Sequence, residues 1–177
     1  MNLPKEAVYD AIVSATTAVV ETMLDLPIEV VAQLDSGPET ERSVLVSMIG
    51  LSGPWAGVGS LHCSAGLAAE IHQRMFMAEE KEHGVTDEVM DAVAEVNNMI
   101  VGNFKHAVAE QLGVLMMSIP TTIYGQEFVM KSQADSQNLG IRFRVGGYQM
   151  ETHVALAPYR EAATRMQALR PLTLTVR

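Results

Sequence analysis

Glu95 and Asn98 are the residues of this sequence whose types and spacing could do chemistry: a carboxylate and a carboxamide three positions apart. On a helix, residues i and i+3 are surface neighbours. At about 100° per residue, Val89, Val93, Val96, Ile100, Phe104 and Ala107 fall in one apolar stripe that must face a core. Asp91, Glu95, Asn98, Gly102 and Ala109 fall on the opposite side of the same wheel. The pair is therefore expected to project into solvent one turn apart. Ala94, Gly102 and Ala109 beside it leave a low, flat strip onto which another protein could dock, with Lys105 and His106 flanking the face. Asn97, one residue away, points toward the core flank and reads as a structural hydrogen-bonder. On spacing alone, a Glu and an Asn on the outer face are also what any soluble helix displays.

Other chemistries find no footing. The sequence offers no Ser/His/Asp or Cys/His arrangement and no Gly-x-Ser-x-Gly turn. His62, His72, His83, His106 and His153 lack metal-ligand spacing and read as surface or core histidines. The single Cys63 cannot form an internal disulfide, and in an apolar strand it reads as a small core residue. Gly57 and Gly59 are not followed directly by a helix, so they mark a bulge or a close backbone neighbour rather than a phosphate loop.

The helix that carries the pair is expected to start at Thr86, with Asp87 and Glu88 in its first turn, and to run to Gln111 or Leu112 before Gly113. Two further helices are expected. One spans about Pro4 to Leu24, closed by Pro27; the other runs from an N-cap at Ser64 to about Met77, stacking Leu67, Ile71 and Met75. Strands are expected at Ile28 to Leu34, Ser43 to Leu51, Trp55 to Cys63, Thr121 to Tyr124, Glu127 to Ser132, Ile141 to Val145 and Gln149 to Leu156. The last two should form an antiparallel hairpin across Gly146-Gly147. Asp135-Ser136-Gln137-Asn138 reads as a turn, Arg160 to Leu169 as a short helix, and Pro171 to Arg177 as a β-like tail. The fold class is α/β in the α+β sense, with long helices packed on a mainly antiparallel sheet.

With 177 residues the chain suits one domain. Its net charge of −9, from 21 acidic against 12 basic side chains, argues against a nucleic-acid partner, which would want a basic stripe. Hydrophobic residues are 48% of the chain but dispersed, and no uninterrupted apolar run approaches the roughly 20 residues of a membrane span. Residues 1–10 do not resemble a signal peptide, so no membrane partner and a cytoplasmic location are expected. Twelve methionines suggest an adaptable core and a soft contact surface.

The phrase Asp91-x-x-x-Glu95-x-x-Asn98, with Pro120 a little over twenty residues downstream, resembles the signature of the CheC/CheX/FliY chemotaxis phosphatases: Ser or Asp, then Glu, Asn and a distant Pro. Pro120 sits about one residue closer to Asn98 than that pattern has it. Val20-Glu21-Thr22-Met23-Leu24, Ile49-Gly50-Leu51-Ser52-Gly53 and Glu95-Val96-Asn97-Asn98-Met99-Ile100-Val101-Gly102-Asn103 resemble the CheX-like branch in particular. The likeness covers roughly Pro4 to Pro158. It implies a CheC-like fold, a CheX-like domain over residues 1–158, and an extension over 159–177 that the family does not place.

The resemblance also implies a function: hydrolysis of the aspartyl phosphate on a CheY-like receiver domain of a response regulator. Such a catalyst need only place a water in line on a reactive acyl phosphate. Asn98 would orient that water, Glu95 would pair with the receiver's active-site Lys, and Asp91, Gly102 and Lys105 would meet the partner. No cofactor of its own is implied, because the receiver supplies the Mg2+. The first helix, with Asp10, Ser14 and Thr17 where a second pair would sit, offers no Glu-x-x-Asn. A single site per chain and a homodimer formed through a sheet edge are the corresponding expectations. Two rivals stand beside this reading: a receiver-binding module without hydrolysis, and a dimeric adaptor docking through its Met-rich surface.

Overall fold

A computed structural model describes residues 4–34, 45–125 and 136–159. Helix α1 (Lys5–Val19) continues through a π-helical turn (Val20–Leu24), which ends where Asp25 turns left-handed at φ 50°. Strand β1 (Ile28–Leu34) follows, then the hairpin of β2 (Leu45–Ser52) and β3 (Trp55–Cys63). Next come α2 (Ala65–Phe76), α3 (Asp87–Ala107) and the short α4 (Ala109–Leu112). Two short strands, β4 (Met116–Met117) and β5 (Thr121–Tyr124), precede the hairpin of β6 (Gln137–Val145) and β7 (Tyr148–Pro158). The fold class is α+β, as expected from the sequence.

Among the described residues the strands form one sheet in the order β1-β6-β7-β3-β2-β4, with β5 also on β2, and every pairing is antiparallel. The β6–β7 turn uses Gly146 and Gly147 at φ 53° and 90°. A two-residue hairpin turn that needs positive φ at both positions favours glycine at both.

The helices cover one face of the sheet. Thr152 of β7 accepts a hydrogen bond from Thr16 of α1, and Gly59 of β3 lies under Val101 of α3. A Cβ at Gly59 would stand 2.8 Å from a Val101 methyl, so the close seat of α3 on β3 depends on that glycine. The expectation of a bulge or a close backbone neighbour is met at Gly57, where a Cβ would meet the Ala155 carbonyl of β7; at Gly59 the close neighbour is a side chain. The core between helices and sheet is apolar and continuous, with Val8, Ile12 and Val19 of α1, Leu67 and Ile71 of α2, and Val93, Ile100 and Phe104 of α3 all buried. Lys5–Leu24 is long and apolar enough by length and composition to cross a membrane. Here its apolar side, including Val8, Ile12, Val19, Val20 and Leu24, is packed into this core.

Several expectations shift. The third helix ends at Ala107 rather than Gln111, because Val108 leaves helical geometry (φ −96°, ψ 5°) before α4 resumes. Val108 is fully buried and Ala107 is exposed, so the inward stripe does not extend to Ala107. Gln137 and Asn138 belong to β6, paired with Leu156 and Ala155, rather than to a turn. The strand expected at Glu127 to Ser132, the helix at Arg160 to Leu169 and the tail from Pro171 lie outside the described residues.

Candidate receiver-docking face on helix α3

Helix α3 begins where the sequence provides a cap. The Thr86 side chain accepts from the Val89 N–H (3.3 Å), and Asp87 and Glu88 occupy the first turn, where the helix dipole favours negative charge. The Glu88 carboxyl is held below its usual range by its own backbone N–H and by Thr86. Lys105 and His106 in the last turn complement the opposite pole.

Seen from the core, α3 buries Val89, Ala92, Val93, Val96, Asn97, Ile100, Val101 and Phe104. Fully burying each large apolar side chain in that set contributes about 1.5–3 kcal/mol, enough to fix which face looks outward. On the outer face Asp91 and Glu95 are exposed, while Asn98, Gly102 and Lys105 are half-buried. With a rise of about 1.5 Å per residue, Glu95 and Asn98 sit about 4.5 Å apart along the axis, and Asp91 to Lys105 spans about 21 Å of face. Among the described residues no hydrogen bond or ion pair engages the side chains of Glu95 and Asn98. Elsewhere in the domain Glu70 is held by Arg74 (2.9 Å) and Lys81, and Glu151 by Arg142 (2.8 Å) and His153 (2.8 Å).

Gly102 lies one turn beyond Asn98, and a Cβ built there would meet nothing within 4 Å. Among the described residues no packing asks for glycine at this position. Ala94 and Ala109 are half-buried on the same side, so the strip around the pair is as low as the sequence suggests.

Asn97 is fully buried and donates from Nδ2 to the Ser47 carbonyl (3.0 Å) and to Ser47 Oγ (3.2 Å) on β2. This agrees with its reading as a structural hydrogen-bonder. Pro120 stands between β4 and β5, which pair with β2 on either side of Ser118-Ile119-Pro120. Ser118 spans that break, its N–H donating to the Gly50 carbonyl and its Oγ accepting from the Gly50 N–H, each at 2.9 Å. The chain resumes as β5, which packs beside α3. Neither the short β4 nor the Ser118 bridge was legible beforehand, since two residues pairing with one distant strand leave no periodic signal.

The far face of the sheet holds a polar group that sequence reasoning missed. Ser60 and His62 of β3, Glu151 and His153 of β7, and Arg142 of β6 share that face through the pairings Ser60↔His153, His62↔Glu151 and Arg142↔Glu151. Strict alternation at 60/62 and 151/153 was the available signal. His62 and His153 stack edge to face at 4.9 Å, and His62 Nε2 lies 2.9 Å from Ser60 Oγ. Burial pushes the His62 imidazole down to about 3, with His153 adding to the shift and Glu151 opposing it. Among the described residues no three His, Cys, Asp or Glu side chains could hold a metal ion. Cys63 is buried, and burial pushes its thiol up to about 12, in keeping with a small core residue.

The fold is shared with the chemotaxis protein CheX of Vibrio vulnificus (TM-score 0.76, 23% identity, 85% of this chain and 99% of that one). It is shared with a CheC-like superfamily protein of Shewanella sp. PV-4 (TM-score 0.77, 20% identity, 89% and 99%). A third similar structure is that of a CheX-CheY-BeF3-Mg complex from Borrelia burgdorferi (TM-score 0.70, 22% identity, 84% and 96%). No curated protein matches the sequence. The family model described as chemotaxis phosphatase CheX matches residues 45–144. Since that match covers more than half of the chain and takes in β2, β3 and the whole of α3, the chain belongs to the CheX family of chemotaxis phosphatases.

Proposed function

We propose that this protein is a phosphatase acting on the aspartyl phosphate of a CheY-like receiver domain. Asn98 orients the attacking water, and Glu95 docks on the receiver's active-site Lys. The observation that carries the reading is the placement of Glu95 and Asn98 one turn apart on the outer face of α3, unengaged among the described residues, beside an open Gly102. An acyl phosphate needs no protein nucleophile. A carboxamide can accept a hydrogen bond from water and donate one toward a phosphoryl oxygen, the role a water-positioning Gln has in small GTPases. The receiver brings the Mg2+ that neutralises charge on the phosphoryl group, so this chain contributes position and no cofactor. Asp91, Gly102 and Lys105 extend the contact along the same face.

The Borrelia burgdorferi relative was solved with CheY, BeF3 and Mg, which supports a receiver as the partner here. The exposed face of α1, with Asp10 and Ser14, carries no Glu-x-x-Asn, so one site per chain is the reading. A homodimer would then carry two. Among the described residues the ends of the sheet, β1 with Val30 and Val31 exposed and β4/β5 with Met116 and Ile123 exposed, are the edges such a dimer could use. A cytoplasmic location, without a nucleic-acid or membrane partner, belongs to the same proposal.

The test is phosphate release from a CheY-type receiver phosphorylated with acetyl phosphate and Mg2+. Asn98→Ala should lower the rate by about 10²-fold or more while binding of the beryllofluoride-activated receiver survives, because the lost contact exists mainly in the transition state. Unchanged turnover in Asn98→Ala would sink the mechanism. Binding without any hydrolysis by the wild type would instead establish a non-catalytic receiver-binding module.

A further inference from the structure

Asn97 and Asn98 are adjacent, yet the first is fully buried and the second half-exposed. Asn97 Nδ2 donates to the carbonyl and to the Oγ of Ser47, itself fully buried on β2. A carbonyl oxygen can only accept, so the amide has one orientation: Nδ2 toward Ser47 and Oδ1 away. Oδ1 is buried and has no hydrogen-bond partner among the described residues. A buried acceptor left unmade costs its desolvation, which offsets part of what the two donated bonds contribute. Stability alone therefore explains a polar pair at this place only in part.

The surroundings suggest the rest. Every other buried residue of α3, Val93, Val96, Ile100 and Val101 among them, is apolar. Apolar contacts decide which face of a helix is buried, but they are non-directional and tolerate a small slide or roll. A hydrogen bond to a backbone carbonyl does not. Ser47 is paired on one side with Leu61 of β3 and on the other with Thr122 of β5, two residues beyond Pro120. The bond thus ties the helix, at the residue adjoining Asn98, to the strands beneath it.

We propose that the hydrogen bonds from Asn97 to Ser47 are a positioning latch that fixes the roll and height of α3 over β2, and with them the placement of Glu95 and Asn98 against a docked receiver. Asn97 is a positioning residue that does not touch the partner; the inference rests on the dephosphorylation reading above. A displacement of about 1 Å at a reacting centre can cost up to 10²-fold in rate.

The experiment compares wild type, Ser47→Ala, the double variant Ser47→Ala/Asn97→Leu, and Asn98→Ala, using an acetyl-phosphate-charged CheY-type receiver and recording melting curves alongside. The double variant keeps the Ser47 carbonyl but fills the site with apolar groups; it should stay folded, melting within a few degrees of the wild type, and lose about 10-fold in kcat, with KM changed by less than about 2-fold. Ser47→Ala keeps the carbonyl acceptor and should retain most of the turnover. Wild-type kcat in the double variant, with turnover lost in Asn98→Ala, overturns the latch and leaves the phosphatase reading standing. If Asn98→Ala is unimpaired or the wild type is inactive, the phosphatase reading fails, and ¹⁵N–¹H spectra then decide the latch. Shifted or broadened amide signals at Glu95, Asn98 and Gly102 in the double variant support it, and unperturbed signals there refute it. Should the double variant fail to fold, Asn97→Ala is read by the same rates and spectra.

Discussion

Replacing Gly102 by glutamine should strengthen the domain and weaken its grip on a receiver. Gly102 lies inside α3, six positions past the Val96 of the buried stripe, and a Cβ there meets nothing within 4 Å. In a helix interior glycine costs about 0.8–1.0 kcal/mol relative to alanine, and glutamine is nearly as good a helix former as alanine. The gain in stability is therefore roughly 0.5–1 kcal/mol. For a chain of this size that raises Tm by about 1–4 °C. On the outside, the new side chain occupies the strip one turn from Asn98 that the receiver would cover. Losing about 1.4 kcal/mol of contact raises Kd tenfold, and a side chain that must be displaced or accommodated should cost at least that. Thermal melting and a fluorescence titration with beryllofluoride-activated CheY-type receiver read the two effects separately. A general loss of structure could weaken binding only with a falling Tm, so the opposed signs are the diagnostic. Unchanged Kd would mean that no receiver sits over Gly102; a lowered Tm would mean that the position is packed after all.

Three further outcomes follow from the same geometry. Val93→Asp should destabilise by several kcal/mol, on the order of 3 or more, because it places an unpaired carboxylate at a fully buried position; chemical denaturation checks it, and a near-neutral result would contradict the core described here. Glu95→Ala should leave Tm nearly unchanged while weakening receiver binding, more so at low than at high salt, since a charge pair at an interface rim is screened by ions; equal binding at both salt concentrations would return Glu95 to a solvated surface role. The buried His62 should make the fold acid-sensitive. Its folded value of about 3 lies below the ordinary 6.5, so between these the unfolded chain binds the extra proton. Stability is then fully present above pH 6.5 and falls by about 1.4 kcal/mol per pH unit below it. Urea midpoints measured from pH 7 to pH 5 should decline in the wild type and flatten in His62→Gln, and a flat wild-type profile would refute the assignment.

Much of the fold was legible because local chemistry and tertiary structure agree. Ser64 caps the helix it was expected to cap, its Oγ accepting from the Leu67 N–H at 3.3 Å, and α3 follows directly on Thr86, where the helix was expected to start. Strands β1, β3 and β5 begin and end where apolar and turn residues say they should. The helical wheel placed Glu95 and Asn98 outward because seven apolar residues of α3 outvote any alternative phase. What failed was decided at a distance. Gln137 and Asn138 look like turn residues, yet β7 is long enough to pair with them. Val108 breaks α3 although nothing polar marks the break, and β4 exists only because Leu51 and Ser52 offer it partners. For the site, spacing showed which side chains face out together, but two polar residues on an outer helix face carry no label of use. That came from the resemblance of the surrounding words.

The position of β7 in the sheet has a consequence for how the domain comes together. Among the described strands, β6 and β1 lie on one side and β3, β2 and the short outer strands on the other, and β7 joins them. Its partner β3 is encoded about a hundred residues earlier, with Trp55 opposite Pro158 and Cys63 opposite Met150. During synthesis, α1 and α3 can form as local structure while each has only part of the platform it will rest on: β6, which packs under α1, is made late, and β3, which packs under α3, has a free edge until Tyr148–Pro158 emerges. Contacts of such wide sequence separation bring a loop-closure cost that must be met before they return any stability. The face of α3 that carries Glu95 and Asn98 is therefore written in the middle of the chain, but the sheet that holds it level is completed from its far end.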